Sequence, residues 1–527
     1  MKLPSMPYGD SLRAETQTAF KGYDHNPGAG DGAIYDMKNL TGRYHPLLAS
    51  RPKRALVRTM TDPNGLFGYD GLCWVDGTGF YYNGTSKGTV ADSKKQFAAL
   101  GTKLLIFPDK KYYDSSSDTF GSLEASYVSA AGAVTFADGT LYGEDAEGNT
   151  LTCAAVDFCL LFNAGDAVTI SGCTSYPANN KTPIIREISD DGHSLRFSEN
   201  ALAVGTEAAA VTIARTAPDL DYICVNENRV WGCKGDTIYC CKLGDPFNWN
   251  VFDKVATDAW ACDVGSAGDF TGCVSYLGYP VFFKEDMVYK VYGSLPSNFQ
   301  IMPSARLGVL SGCAGSLAVA GETLFYLSRA GVVAYTGGVP SSIAEAFGDV
   351  QYTDAAAGSD GLRYYVSMKA EESWSLFVYD VRRGMWHRED ATQALGFTFY
   401  DGALYLLADD GKLWTVSGDA PAGSTAEGAV SWEAEFQDFT DGSPDKKGVE
   451  RLQIRCELGA LATMTVQLKY DSGANWETVR TLTAGAKKNC VLPVIPRRAD
   501  HYRLKLSGTG ECRVYGITRV RYQGSER

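Results

Sequence analysis

A three-strand meander recurs along the chain, and this repeat limits the possible fold more than any other feature of the sequence. Its clearest copy runs out over 221–225, turns through 226–228, returns over 229–233 and runs out again over 237–241. Glycine, asparagine and aspartate occupy the turns because they tolerate positive φ, while β-branched and aromatic residues fill the strands. The pattern predicts antiparallel hairpins joined in series.

Further copies of the meander cover 66–83, 96–114, 273–292, 316–336, 361–381 and 395–416. The aromatic residues in the later third strands are Tyr239, Tyr289, Tyr335, Tyr379 and Trp414, at intervals of 50, 46, 44 and 35 residues. A period near 40–50 residues with about four strands per unit is typical of β-propeller blades. We therefore predict an all-β fold with a propeller of six to eight blades.

The propeller repeat is interrupted by residues 120–217. This stretch contains short alternating strands and an Ala/Gly-rich start, and it separates two copies of the meander. Insertions into surface loops cost little free energy. We expect a small inserted β domain at 120–217, with the propeller formed by 59–119 and 218–418.

The two ends of the chain differ from the propeller repeat. Residues 419–430 form a linker rich in small residues, and the alternating strands of 431–527 are typical of a small antiparallel, β-sandwich-like domain. Residues 1–58 are proline-rich with few periodic runs. We interpret 1–58 as an extended arm that wraps a surface or a neighbour.

Charge is distributed unevenly along the chain. The formal net charge is −13, of which 1–58 carry +4 and 487–527 carry +7, which leaves −24 for the middle. An acidic body argues against wrapping DNA by phosphate neutralisation. Two interpretations of the basic C-terminal end stay open, a solvent-facing sheet surface and contact with nucleic acid. As candidate protein-docking residues we name a group of arginines: Arg497, Arg498, Arg519 and Arg521.

The sequence contains no motif that assigns catalysis, a cofactor or a metal. The five histidines lie more than four residues apart, the 14 cysteines are scattered, and no glycine-rich loop continues into a Lys-Ser/Thr phosphate cradle. A G-x-S-x-G nucleophile motif before a helix is also missing. We therefore expect no cofactor, no metal site and no enzymatic activity.

One short motif is interpreted as a turn. Residues 471–476 match the pattern D-x-G-x-x-W, in which the aspartate caps a hairpin, Gly473 takes the turn and Trp476 packs beneath it. Glycoside hydrolysis would need two carboxylates that converge on a pocket, and sequence spacing cannot identify such a pair among 62 acidic residues.

Neither a membrane span nor an export signal is expected. No apolar run approaches the ~18 residues that a transmembrane helix needs. The first residues lack an apolar core behind Lys2. We expect synthesis in the cytoplasm.

Several stretches resemble a known family of bacteriophage tail proteins. They are Asn228 to Gly232 (NRVWG), Gly235 to Tyr239 (GDTIY), Leu243 to Trp249 (LGDPFNW), Phe283 to Ser294 (FKEDMVYKVYGS) with Pro296 to Phe299 (PSNF), and, in the arm, Asp36 to Leu40 (DMKNL) with Arg51-Pro52. These patterns are similar to those of the tail nozzle family, also called packaged-DNA stabilisation or tail hub proteins. The insertion at 120–217 and the many cysteines depart from the family pattern.

The resemblance implies a structural protein of the virion tail, assembled in the host bacterial cytoplasm. Such a protein forms a homo-oligomeric ring, expected to be hexameric, below the portal and adaptor, and it retains packaged double-stranded DNA and conducts it during ejection without specific binding. Portal-adaptor and other tail proteins are the implied partners. The alternative is a receptor- or carbohydrate-binding tail propeller, with or without depolymerising activity, and oligomeric state distinguishes the two because receptor-binding fibres are usually trimeric.

Overall fold

The computed structural model describes residues 13–30, 33–138, 148–440, 446–495 and 497–523. Two compact units make up the chain. The central unit contains 64–314, and the terminal unit contains 1–63 together with 315–527. Across the described ranges, no helix has the length and apolarity required to traverse a membrane. Six 3-10 turns are present in these ranges: Gly42–Tyr44, Phe158–Leu160, Pro177–Asn179, Pro296–Asn298, Ala314–Ser316 and Glu345–Phe347.

The first 59 residues contribute four strands to the terminal unit. They are β1 (Arg13–Gln17), β2 (Ile34–Lys38), β3 (Leu48–Ala49) and β4 (Ala55–Thr59). None of the four pairs with another of them, since each lies in a sheet completed by strands from the C-terminal part of the chain. Residues 13–30 and 33–58 of the arm are therefore built into their own chain, and residues 1–12 lie outside the described residues.

Two four-stranded antiparallel meanders follow. The first contains β5 (Pro63–Gly68), β6 (Leu72–Asp76), β7 (Gly79–Tyr82) and β8 (Thr85–Thr89), and the second contains β9 (Gln96–Leu100), β10 (Lys103–Phe107), β11 (Lys111–Asp114) and β12 (Thr119–Ser122). Side chains from both sheets, including Val75, Phe80 and Ile106, share one buried core. This face-to-face packing of consecutive sheets is the packing of propeller blades.

The inserted segment forms two small sheets around its own core. Its strands are β13 (Ala125–Val128), β14 (Val134–Asp138), β15 (Asn149–Thr152), β16 (Thr169–Ser171), β17 (Ile185–Ile188), β18 (Ser194–Phe197), β19 (Gly205–Glu207) and β20 (Thr212–Arg215). One sheet has the order β13-β20-β16 and the other β17-β18-β15-β14-β19. Phe136, Phe158, Phe162 and Phe197 are buried in the common core.

Two more blades complete the central unit. They contain β21 (Tyr222–Asn226), β22 (Arg229–Lys234), β23 (Thr237–Cys240) and β24 (Trp260–Asp263), then β25 (Gly272–Tyr276), β26 (Tyr279–Phe283), β27 (Met287–Tyr292) and β28 (Gln300–Ala305). Trp231 and Phe282 pack in the core between these two sheets. Val230 and Trp249 join the core that the sheet of β21–β24 shares with the sheet of β9–β12.

The terminal unit contains three blades. The first two contain β29 (Ala318–Ala320), β30 (Thr323–Ser328), β31 (Gly331–Tyr335) and β32 (Ser341–Ser342), then β33 (Asp354–Ser359), β34 (Arg363–Ala370), β35 (Ser373–Asp380) and β36 (Met385–Arg388). The third contains β37 (Ala394–Tyr400), β38 (Ala403–Ala408), β39 (Lys412–Ser417) and β40 (Thr425–Ala426), and β4 lies between β39 and β40. This blade is therefore shared by the two ends of the chain.

A bent eight-stranded sheet forms the C-terminal domain. Its late strands are β41 (Ser431–Phe436), β42 (Lys447–Tyr470), β43 (Glu477–Pro493), β44 (Tyr502–Thr509) and β45 (Cys512–Gln523). The main order is β1-β45-β42-β44-β41-β2, while β3 pairs with β45 and β43 with β42. The register of the long strand β42 shifts around Leu461, so β45 pairs with its first half and β44 with its second.

The two halves of this sheet face each other. The guanidinium of Arg519 on β45 lies 3.8 Å from the ring centroid of Phe439 and donates a hydrogen bond to the Tyr502 hydroxyl on β44 at 3.1 Å. The predicted fold class is thus confirmed: the described residues form seven blade-type meanders, an inserted β domain and a sandwich-like C-terminal domain.

Candidate functional site

A cavity of about 310 Å³ lies between the inserted domain and the loop that joins β23 to β24. The inserted domain contributes residues 181–184 and 198–202 to its wall, and the loop contributes Asn250, Phe252 and Asp253. All of these residues belong to the central unit. The cavity is therefore formed where the insertion meets a propeller blade.

The inserted-domain wall is tied together by backbone and side-chain hydrogen bonds. The amide of Ser198 donates to the carbonyl of Ile184 at 2.9 Å, and the ammonium of Lys181 donates to the carbonyl of Ala201 at 3.0 Å. The amide of Leu202 donates to the side-chain oxygen of Asn149 on β15. These bonds fix Glu199, which lies within the second wall segment.

The loop wall is held by Asn248, which is 1% exposed. Its side-chain oxygen accepts from the amide of Ala167 at 3.0 Å, and its side-chain nitrogen donates to Asp166 at 2.8 Å and to Asp245 at 2.7 Å. Buried amides need such partners because an unpaired polar group loses its hydration without compensation. Asn248 thus joins the blade loop to the insertion, two residues before Asn250.

A buried ion pair strengthens the same junction. Asp166 pairs with Arg215, and their side chains are only 4% and 7% exposed. The guanidinium of Arg215 also lies 5.1 Å from the ring centroid of Phe247, and the ammonium of Lys242 donates to the carbonyl of Gly165. The loop is therefore also anchored to the inserted domain at Lys242 and Phe247, which precede Asn248 in the chain.

The cavity combines an aromatic surface with free polar groups. Phe252 is 59% exposed, although an aromatic side chain of this size normally packs inward. Within the described residues, the carboxylates of Glu199 and Asp253 form no ion pair, so their oxygens are available as acceptors. An aromatic face in the same lining as two acceptor carboxylates and the amide of Asn250, whose nitrogen donates to the Thr216 hydroxyl, suits a ligand with C–H faces and many hydroxyls.

A second cavity, of about 450 Å³, lies between β24 and β28 and differs in its chemistry. Its lining is mainly apolar, and its polar groups are already engaged. Asp263 accepts from the hydroxyl of Thr237 at 2.5 Å, and the hydroxyls of Tyr289 and Ser266 are hydrogen-bonded to each other at 2.6 Å. The first cavity therefore offers more groups for recognising a polar ligand.

The structure separates the four arginines that the sequence suggested for docking. Arg519 and Arg521 are buried and pair with Glu15 on β1, the strand that is paired with β45. Arg497 and Arg498 are exposed, and Arg497 pairs with Glu477. A docking role for Arg497 and Arg498 stays a prediction, whereas Arg519 and Arg521 already serve contacts within the chain.

The sequence did not predict the cavity at 181–202 and 250–253. One usable signal was present: about twenty residues separate the third and fourth strands of this blade, and they include the turn-forming Gly244-Asp245-Pro246. Such a long connection inside a repeat of short turns indicates an additional task.

No family model matches the chain, and no curated protein matches it. Among solved structures, it is similar to an exo-β-1,3-galactanase from Phanerochaete chrysosporium, at 8% identity and a TM-score of 0.21, over 55% of this chain and 93% of that one. It is also similar to a glycoside hydrolase family 43 arabinoxylan arabinofuranohydrolase from Bacillus subtilis, at 10% identity, a TM-score of 0.15, and 71% and 97% coverage. A third similarity is to the endosialidase of phage phi92, at 8% identity, a TM-score of 0.19, and 76% and 60% coverage.

These comparisons contradict one prediction. The expectation that the chain is not an enzyme is corrected, because the solved structures that it resembles include glycoside hydrolases. The failed expectation rested on missing local motifs, whereas the carboxylates of a glycosidase converge through the fold and leave no such motif. At these identities and TM-scores, the similarities assign neither a substrate nor a catalytic residue to this chain.

Proposed function

We propose that the chain is a carbohydrate-binding β-propeller protein of a bacteriophage tail, and that it binds its glycan in the cavity between the inserted domain and the β23–β24 loop. One observation carries the proposal: a single cavity combines the exposed ring of Phe252, two carboxylates without ion-pair partners and the amide of Asn250.

The size of the cavity fits a short glycan segment. Its volume of about 310 Å³ is at the lower end of the range typical of small-ligand pockets. Stacking on Phe252 would bury one face of a sugar ring, while Glu199 and Asp253 accept hydrogen bonds from its hydroxyls. We therefore expect the protein to recognise one short motif within a longer surface polysaccharide.

Binding and cleavage are to be measured together. Two carboxylates on one cavity are the residue types that glycoside hydrolysis uses as acid and base or nucleophile. The assay therefore records both the affinity for a panel of bacterial surface polysaccharides and the release of reducing ends from them.

The decisive variants are Phe252→Ala, Glu199→Gln and Asp253→Asn, in the full chain. We expect each to weaken glycan binding at least tenfold, because each removes a contact that the others cannot replace. Phe399→Ala is the matched control, since Phe399 is 50% exposed and lies on β37 in the other unit. Unchanged affinity in all three cavity variants, with wild-type binding present, would contradict the site.

The tail nozzle ring is a second candidate function. It rests on the resemblance of the arm and of 228–299 to the tail nozzle family; in the arm, Met37, Leu40 and Arg51 pack into the terminal unit and are at most 5% exposed. On this proposal the subunits form a hexameric ring that contacts portal-adaptor and tail proteins and lets double-stranded DNA pass. Negative-stain images of the purified protein test it, because six-fold rings are expected and trimers would favour a receptor-binding fibre.

A further inference from the structure

The hairpin between β42 and β43 presents a serine in an unusual backbone conformation. The amide of Gly473 donates to the carbonyl of Tyr470 at 2.9 Å, which closes a tight turn. Asp471 and Ser472 occupy its centre with φ of 47° and 54°, so these two residues adopt the left-handed conformation that the sequence had assigned to Gly473. A turn of this type suits the right-handed twist of the flanking strands.

Strand pairing brings a histidine to this turn. Tyr470 at the end of β42 is paired with Tyr502 at the start of β44, and the amide of Asp471 donates to the carbonyl of His501 at 3.2 Å. Nε2 of His501 lies 2.8 Å from the hydroxyl oxygen of Ser472. Nδ1 of the same ring lies 2.5 Å from a carboxylate oxygen of Asp500.

These contacts define the roles of the two ring nitrogens. A carboxylate only accepts hydrogen bonds, so the proton of the neutral imidazole is on Nδ1 and is donated to Asp500. Nε2 then has a free lone pair and accepts the hydroxyl proton of Ser472.

We infer that Ser472, His501 and Asp500 form an acyl-transfer site that hydrolyses carboxylic esters. The hydroxyl oxygen of Ser472 attacks the ester carbonyl as its proton passes to Nε2 of His501, and the alcohol leaves with that proton. Water then attacks the acyl-serine, and His501 takes the water proton and returns it to the Ser472 oxygen. One ester and one water give one acid and one alcohol.

The position of the site indicates which esters it can reach. Ser472 and Asp500 are exposed on the surface of the C-terminal domain. An open site of this kind suits acyl groups that project from a large molecule, because such a group needs no enclosed pocket to approach. The turn itself does not need the serine hydroxyl, since a backbone hydrogen bond closes it.

A divalent cation is the competing use of the same residues. Asp471, Asp500 and His501 place one ligand atom each within 4.8 Å of one another, the one such group found within the described ranges. A cation there would occupy the lone pairs on which the serine and the imidazole depend. The two uses are therefore separable by experiment.

The test treats the full chain with a fluorophosphonate probe and identifies the labelled residue by mass spectrometry, alongside hydrolysis of p-nitrophenyl acetate. We expect label on Ser472, none in Ser472→Ala, and a labelling rate reduced at least 100-fold in His501→Gln, which keeps a hydrogen-bonding side chain but cannot take up the proton. Asp500→Asn is expected to lose at least tenfold. Ser373→Ala is the control, because Ser373 is an exposed hairpin serine whose hydroxyl bonds only a backbone carbonyl.

Three outcomes would overturn the inference. They are the absence of label on Ser472, an equal labelling rate in His501→Gln, and wild-type labelling that appears only after EDTA treatment, which would assign the carboxylates to a cation. Circular dichroism of each variant verifies its fold. The glycan-binding proposal concerns a different unit of the chain and stands or falls independently.

Discussion

Replacing Arg215 by methionine is the most direct test of the junction that forms the cavity. The variant leaves the carboxylate of Asp166 at a site where it is only 4% exposed and removes the cation that faces it. Methionine retains most of the apolar stem, so packing against Phe247 is largely preserved. The change therefore removes the charge together with one hydrogen bond, which the guanidinium donates to the carbonyl of Leu123 at 3.2 Å.

The surroundings of Asp166 determine how much stability Arg215→Met should cost. Removing one partner of a buried ion pair typically costs about 3–5 kcal/mol, because a charge remains without compensation. Asp166 still accepts hydrogen bonds from the Asn248 side chain and the Asn163 amide, so we expect the lower end, about 3 kcal/mol. The double variant Asp166→Asn/Arg215→Met contains no orphan charge, and we expect it to cost less than Arg215→Met alone.

Native-state hydrogen exchange followed by mass spectrometry measures this cost locally, over peptides that contain residues 163–170. Lys234→Met is the control, because it breaks an exposed ion pair in the same unit: the side chains of Lys234 and Asp221 are 53% and 38% exposed. We expect this variant to lower the free energy of unfolding by less than about 1 kcal/mol. The reasoning is refuted if Arg215→Met costs no more than this control, or if the double variant costs as much as the two single variants together.

Three further predictions concern the blades. Gly232→Ala should destabilise the central unit by about 1–3 kcal/mol in urea unfolding, because the new Cβ would lie 2.6 Å from a Leu220 methyl and 2.9 Å from the Tyr222 carbonyl. Gly338→Ala is the control and should leave the free energy of unfolding unchanged, because its Cβ would meet no atom within 4 Å. Burial lowers the pKa of His387 from 6.5 to about 4, so protons bind the unfolded state preferentially and the free energy of unfolding falls as the pH drops from about 6.5 towards 4. Between pH 7.5 and pH 5 the free energy of unfolding of the wild type should fall by roughly 2 kcal/mol more than that of His387→Gln. Equal losses in the two proteins would contradict this. Leu56→Pro should open the third blade of the terminal unit, because β4 is hydrogen-bonded to a strand on each side and proline removes a backbone donor from the ladder. We expect faster proteolysis near residues 418–425, and an unchanged cleavage rate would contradict the prediction.

Local pattern was sufficient to predict the inner strands of the blades. The strands expected at 229–233 and 237–241 are observed at Arg229–Lys234 and Thr237–Cys240, since turn residues and alternation are properties of neighbouring residues. The fourth strand, Trp260–Asp263, was not predicted, because a long loop separates it from the meander and its edge position imposes little alternation.

The candidate sites depend on contacts that no local pattern encodes. Ser472 and His501 are 29 residues apart and meet only because β42 pairs with β44. The cavity likewise requires the insertion to bind Asn248. Arg519 shows the converse: alternation suggested a solvent-facing side chain, but the other half of the bent sheet covers it.

The shared third blade of the terminal unit has a consequence for biosynthesis. The hydroxyl of Thr415 on β39 donates to the carbonyl of Ala55 on β4, across 360 residues of sequence. At a synthesis rate of about 5–20 residues per second, β4 emerges from the ribosome roughly 20–70 seconds before its partner exists. During that interval its backbone groups have no strand to pair with, so the nascent chain passes through a stage at which a chaperone, or a neighbouring nascent chain, can occupy the place of β39.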